Sequence, residues 1–142
     1  MKAKIIHVLC EGQTEQGFVE EVLRPYLQAQ GVAGVKSILI TTNKKKNARG
    51  GMLSYAQAVT DLELLRKMKM DGEYERHVFT TMFDLYALPD DFPGYEAAKA
   101  IGEPYARVAA LETAIAEANN DSPIIHYIQL QEFEAMLFCS IY

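Results

Sequence analysis

The sequence contains no apolar run long enough to cross a bilayer. A spanning helix needs about 20 consecutive apolar residues, and the apolar stretches of this 142-residue chain are far shorter. The basic start could be mistaken for a secretory signal. However, its apolar part, residues 5–10, is short and is followed at once by Glu11-Gly12, with no small-residue cleavage site. We interpret it as a first strand and expect a cytoplasmic protein with no membrane partner.

Cysteine and excess basic charge are also scarce. Cys10 and Cys139 lie at opposite ends of the chain in apolar surroundings, so we expect buried, reduced thiols rather than a metal or redox motif. Fourteen basic residues against nineteen acidic ones give a net charge of −5, which argues against a protein that coats nucleic acid by bulk charge. There is no Walker loop, so any ATPase must be a separate chain.

What is present is the pattern of one globular domain over residues 1–142. Hydrophobic residues make up 49% of the chain and charged residues 23%, a balance typical of soluble proteins. Thr14 is expected to cap the first helix, which Pro25 should kink or shorten. Strands are predicted at 4–10, 35–42, 77–83 and 124–130, and helices after residues 14 and 54, near 95–100, around 106–118 and from 132. This alternation predicts an α/β fold with a mainly parallel central sheet and helices on both faces, a Rossmann-like three-layer arrangement.

Acidic residues follow several of the predicted strands. Glu11 follows the first and Asp84 the third, while the fourth runs out toward Glu132 and Glu134. Parallel strands bring their carboxyl ends to one edge, where ligands bind in such folds. Clustered carboxylates favour a hard cation such as Mg²⁺, which can assist phosphoryl transfer. The alternative is that these acids only interact with the first turns of the following helices.

Three further acids, Glu132, Glu134 and Glu15, are candidates for the same group. If residues 132–134 are helical, Glu132 and Glu134 point to nearly opposite sides, whereas a continuing strand points both the same way. We favour Glu132 as the site residue. Glu15, one turn beyond Glu11, either reaches the metal through a water or serves as a first-turn dipole partner.

The basic residues form one cluster, in the loop that follows the second predicted strand. Lys44, Lys45, Lys46 and Arg49 would lie on the same edge as the acids and could hold a nucleic-acid backbone near the metal. The alternative is a solvated loop. No aromatic residues interleave with these lysines, so this loop offers no stacking platform. The three histidines fall in or at predicted strands, and we expect them to be packed or hydrogen-bonded core residues.

Three segments resemble a known bacterial family when taken together and in order. They are VLCEGQTE at residues 8–15, TTMFDLYALP at 80–89 with DFPG at 91–94, and YIQLQEFEAMLF at 127–138. These segments are similar to domain-of-unknown-function family 4276, a branch of the Toprim-like superfamily. The resemblance spans nearly the whole chain. The family usually continues past the last segment, so we expect a C-terminally shortened member.

The resemblance implies a Toprim-type fold that binds Mg²⁺ (or Mn²⁺). It implies that Glu11 is a general acid or base that also helps to hold metal, and that Asp84 is a metal ligand. The second aspartate of the Toprim DxD pair is replaced here by Tyr86, for which Asp90 or Asp91 could substitute from the loop. Related proteins are commonly encoded beside an AAA/ABC-type ATPase, and several such pairs act in phage defence.

Two main functional hypotheses follow. The first is a Mg²⁺-dependent nuclease-type phosphodiester hydrolase, acting on DNA or RNA with a partner ATPase in phage defence. Glu11 and Asp84 would hold the metal, with assistance from Glu132. The alternative is a non-catalytic Toprim-like protein that binds and regulates the ATPase. A third and weaker option is a phosphatase or nucleotide-binding enzyme that uses the same acids. The sequence leaves the oligomeric state open.

Overall fold

A parallel β-sheet forms the centre of the molecule. The computed structural model describes residues 1–40, 54–68, 71–119 and 124–130. The strands are β1 (Ala3–Cys10), β2 (Gly34–Leu39), β3 (Glu75–Asp84), β4 (Ile124–Ile125) and β5 (Ile128–Gln129). Their order is β2-β1-β3-β4, and β5 pairs with β3 beyond the end of β4. Every pairing is parallel, so the carboxyl ends of β1 and β3 lie side by side.

The connections between strands are mostly helical. The helices are α1 (Gln13–Phe18), α2 (Arg24–Ala29), α3 (Tyr55–Met68), α4 (Tyr95–Lys99) and α5 (Pro104–Ala118). A π-helical segment (Val19–Leu23) joins α1 to α2, and a 3₁₀ turn (Leu85–Ala87) follows β3. Within the described ranges, no helix has the length and apolar character needed to cross a membrane.

The start of the first helix differs from the expectation. Gly12, not Thr14, occupies the N-cap position, and no side chain caps this end. The expected disturbance at Pro25 is present, because this proline stands in the first turn of α2, directly after the π-helical segment. Proline has no N–H to donate, so the helix loses regular bonding at this point. By contrast, a side chain does cap the start of α3, where the Gln57 N–H donates to Ser54 Oγ at 3.4 Å.

Helices cover both faces of the sheet, as the alternation of apolar residues predicts. On one face, Leu9 and Phe83 belong to a large core that includes Leu62 of α3 and Leu111 of α5. On the other face, a smaller core contains Val8, Cys10, Val19, Val35 and Met82. The fold is therefore a mainly parallel α/β sheet between helical layers, which confirms the expected fold class.

The fourth predicted strand is divided into two short pieces. Thr81 Oγ1 donates to the carbonyl oxygen of Tyr127 and accepts from its N–H, both at 2.9 Å. Thr80 Oγ1 donates to the carbonyl oxygen of Ile125 at 2.7 Å. Hydroxyl groups of β3 thus replace part of the backbone ladder, and β4 and β5 are separated at residues 126–127.

Candidate active site at the carboxyl edge of the sheet

Glu11 and Asp84 are neighbours at the carboxyl edge of the two central strands. Glu11 follows β1 and Asp84 ends β3, and their exposed fractions are only 9% and 8%. The Asp84 N–H donates to Glu11 Oε2 at 3.2 Å, and the Glu11 N–H donates to the carbonyl oxygen of Met82 at 3.4 Å. The parallel register of β1 and β3 therefore brings together two buried acids that are far apart in sequence.

Glu15 is also buried, but on the smaller-core side of β1. Its carboxylate lies over Gly12, where an added Cβ would be 3.2 Å from Glu15 Oε2. Burial, and then the negative charge of Glu15, raise the pKa of the Cys10 thiol to about 12. Cys10 is a free thiol, so the expected buried, reduced state is confirmed for it. Glu15 therefore contributes negative charge close to the end of β1.

A second group of polar side chains adjoins Asp84 from the β5 side. Gln129 is the register partner of Asp84, and the Tyr127 hydroxyl donates to Gln129 Oε1. Burial, followed by the charges of Glu112 and Asp84, raises the pKa of the Tyr127 phenol. Glu112, on α5, accepts the Ile128 N–H at 3.0 Å. Sequence reasoning missed these residues, although their position beside the end of β3 could have indicated them.

The donor set fits magnesium better than a metal that needs a full protein cage. In the described part of the chain, no group of three or more His, Cys, Asp or Glu side chains is arranged to hold a metal ion. Magnesium usually binds one or two carboxylates and keeps several waters. Glu11 and Asp84 supply two carboxylates at neighbouring strand ends, both largely shielded from bulk water.

In a comparison with protein-family models, the chain matches the Domain of unknown function (DUF4276) over residues 10–142. The chain belongs to the DUF4276 family. The match begins at the last residue of β1 and includes the Glu11 and Asp84 segments. No curated protein and no solved structure gave a significant match.

The histidines of this DUF4276 domain lie away from Glu11 and Asp84. His7 Nε2 and His77 Nδ1 are 2.9 Å apart, and the His7 ring stacks on Phe79 at a centroid distance of 5.1 Å. This pair belongs to the interior of the sheet, as expected of packed histidines. His126 lies between β4 and β5, where burial lowers the pKa of its imidazole.

Several predicted site residues fall outside the described part of this DUF4276 chain. They are Glu132, Glu134, Lys44, Lys45, Lys46 and Arg49. Tyr86, compared above with the second aspartate of a Toprim DxD pair, is described and is 83% exposed. The Asp91 carboxylate is engaged at the start of α3, where it accepts the Tyr55 N–H at 2.9 and 3.0 Å.

Proposed function

We propose that this DUF4276 domain is a Mg²⁺-dependent (or Mn²⁺-dependent) nuclease-type phosphodiester hydrolase of the Toprim superfamily. The observation that supports the proposal is the presence of two buried acids, Glu11 and Asp84, at the carboxyl edge of β1 and β3, where the Asp84 backbone N–H donates to the Glu11 carboxylate. Like charges in such a place are stabilised by a cation. The position is also the usual ligand-binding edge of a parallel α/β sheet.

The two acids have distinct roles in this proposal. Asp84 is a metal ligand, and Glu11 both helps to hold the metal and moves a proton. When bound, the ion would supply charge stabilisation at the phosphoryl group and a lowered pKa for a bound water. The Asp84 N–H fixes the Glu11 carboxylate. From that position Glu11 takes the proton of the attacking water or returns one to the leaving oxygen.

Other parts of the proposal rest on the sequence. Glu132 would assist, with Glu134 and Glu15 as outer metal partners, and the cluster formed by Lys44, Lys45, Lys46 and Arg49 would hold the nucleic-acid backbone. Through the Toprim-like resemblance, we also infer a partner ATPase of the AAA/ABC type and a role in phage defence.

The experiment that tests the proposal is a calorimetric titration of the chain with Mg²⁺ and Mn²⁺, followed by nuclease assays on DNA and RNA. Asp84→Asn should abolish saturable metal binding, and both Asp84→Asn and Glu11→Gln should abolish cutting. The matched control is Glu117→Gln, the same type of change on an exposed position of α5. Metal-dependent cutting that persists in both site variants would refute the assignment.

A second candidate function is a non-catalytic, ATPase-binding protein. It is favoured by Tyr86, which places an exposed phenol where a second acidic ligand is expected, and by the absence of a three-acid cluster within the described segments. This candidate predicts tight co-purification with a neighbour-encoded ATPase and no magnesium binding at millimolar concentration. Failure to bind that ATPase, with or without ATP, would count against it.

A further inference from the structure

A cavity of about 190 Å³ opens next to the candidate active site. It lies between the 3₁₀ turn that follows Asp84, helix α4 and helix α5. Leu85 and Leu111 supply apolar surface, while the polar part of the lining comes from two tyrosines and two cations: Tyr86, Tyr95, Lys99 and Arg107. Leu85 and Tyr86 directly follow Asp84 in the chain, so one wall of the cavity begins at the residue after this acid.

Arg107 is held in a position suited to an anion. Its Nε and Nη2 atoms both donate to the carbonyl oxygen of Ile101, at 3.1 and 2.7 Å. The side chain is half-buried, and no carboxylate among the described residues forms a salt bridge with it. A guanidinium group has five N–H donors in a fixed fork. The bonds to Ile101 fix the orientation of the fork and leave donors for a phosphate.

Lys99 adds a second positive charge at the same cavity. Its Nζ atom lies 5.8 Å from the centroid of the Tyr95 ring, over its face, and 3.8 Å from Glu96 Oε1. Both partners of that ion pair are exposed, so water screens the pair and Lys99 can exchange Glu96 for another anion at little cost in free energy. The cavity is therefore lined by two cations, Arg107, which hydrogen bonds hold in place, and Lys99, which is exposed.

The tyrosines give the cavity a flat, apolar surface beside these cations. Tyr86 is 83% exposed at the cavity, so its ring is accessible to a base. Unpaired bases are recognised by stacking on aromatic rings, while Arg and Lys contact the phosphates. The basic loop lacks aromatic residues, but the folded chain brings aromatics and cations together at this second place.

We propose that this cavity is a nucleotide subsite that binds one unpaired nucleotide of a single-stranded nucleic acid, with the phosphate on Arg107 and Lys99 and the base on Tyr86. The proposal rests on the proposed hydrolase function and deepens it, because it names single-stranded rather than duplex nucleic acid as the substrate class. In a duplex the bases are stacked on each other and paired, so none is available to Tyr86.

The test is a fluorescence-anisotropy titration of labelled 12-nucleotide strands in EDTA, at about 50 mM salt, where binding does not require catalysis. The probes are oligo(dT), oligo(rU), a duplex of the same length and an oligo(dT) with abasic sites. We expect tighter binding of the single strands than of the duplex. Arg107→Gln should weaken single-strand binding about tenfold. Tyr86→Ala should weaken it by a similar factor with intact strands, but not with the abasic strand.

Two control variants match these substitutions at the opposite edge of the sheet. Arg76→Gln makes the same change of charge at the start of β3, and Tyr74→Ala removes an equally exposed tyrosine beside it. Neither should change the affinity more than twofold. Arg107 also donates to the carbonyl oxygen of Ile101, so the thermal unfolding of the Arg107→Gln variant is measured in parallel. Tyr86 is so exposed that its removal leaves the fold intact, which keeps the test valid if the Arg107 variant is unstable.

The possible outcomes separate this subsite from the hydrolase itself. If both site variants bind the strands as tightly as their controls, or if wild type binds duplex as well as single strands, the nucleotide subsite is refuted. If binding depends on Arg107 and Tyr86 but no metal-dependent cutting occurs, the subsite is supported and the hydrolase proposal fails. If cutting depends on Glu11 while binding ignores Arg107 and Tyr86, the hydrolase stands without this subsite.

Discussion

Two substitutions of Glu11 should affect stability by different amounts, because only one of them removes the acceptor of the Asp84 N–H. In Glu11→Ala the backbone N–H of Asp84 loses its partner at a position that is only 8% exposed. In Glu11→Gln the amide oxygen can still accept it. Both variants remove the same negative charge beside Asp84. The change in repulsion is therefore common to both, and it cancels when they are compared with each other.

One contribution to the difference is the hydrogen bond that only Glu11→Ala removes, which measures 3.2 Å from Asp84 N to Glu11 Oε2. A neutral bond contributes ~0.5–1.5 kcal/mol, and leaving a buried donor without its acceptor costs ~1–3 kcal/mol. We expect the free energy of unfolding of Glu11→Ala to be ~1–2 kcal/mol below that of Glu11→Gln. With a urea m-value of ~2 kcal/mol/M, the midpoints should differ by roughly 0.5–1 M.

The assay is urea unfolding of both variants in EDTA, followed by circular dichroism at 222 nm. EDTA removes divalent cations, so that metal binding does not contribute to the comparison. Equal midpoints with equal m-values would refute the reasoning, because they would mean that the Glu11 side chain does not satisfy the Asp84 N–H in solution.

Three further predictions concern other parts of the molecule. Gly94 has a φ of +75°, and a Cβ there would lie 2.8 Å from the Cβ of an alanine in α5. Gly94→Ala should therefore lower the free energy of unfolding, measured in urea, by ~2–4 kcal/mol. By contrast, Gly17 lies in α1 with open space around it, so Gly17→Ala should raise the same quantity by ~0.5–1 kcal/mol. Thr81→Val removes both hydrogen bonds to the Tyr127 backbone, so the Tyr127 amide should exchange hydrogen at least tenfold faster by NMR; unchanged exchange would show that the hydroxyl does not hold this segment. In the folded protein the pKa of Cys10 is raised to about 12 from a usual 9.0. At pH 8, alkylation of Cys10 by iodoacetamide, followed by mass spectrometry, should therefore be ~1,000-fold slower in the folded protein than in the protein unfolded in urea. Because the unfolded thiol ionises first, the stability that the neutral thiol contributes should be lost as the pH rises from 9 toward 12.

The fold was predictable where the periodicity of apolar residues is strong. The segments that became β1 and β3 alternate between two buried faces, and this pattern alone indicates central strands. The division of the last strand was not predictable, since it depends on the hydroxyl of Thr81, which forms hydrogen bonds that backbone groups would otherwise make. The prediction that Thr14 caps the first helix was wrong because the helix begins at Gln13. Thr14 therefore lies inside the first turn, and Gly12, which has no side chain, occupies the N-cap position.

The candidate site was predictable to the same extent as the sheet. A parallel sheet predicts that Glu11 and Asp84 lie at the same edge, but only the structure shows that β1 and β3 are neighbours, which places the two acids side by side. The cavity beside them was not predictable. Arg107 occupies an ordinary position near the start of α5, and only the packing of α4 and α5 against the turn after β3 brings it to Tyr86. No sequence spacing carries that information.

The arrangement of charge at this edge links the two proposed sites. The protein has a net charge of −5, and Glu11 and Asp84 would repel a phosphodiester that approaches the sheet without a cation. Arg107 and Lys99 attract the same strand from one side. A bound cation would remove the repulsion at the acids, so metal and single-stranded nucleic acid should bind with positive coupling, each raising the affinity of the other by the same factor. The affinity measured in EDTA is then a lower bound on the affinity of the metal-loaded protein, and the dependence on Arg107 should persist in both states.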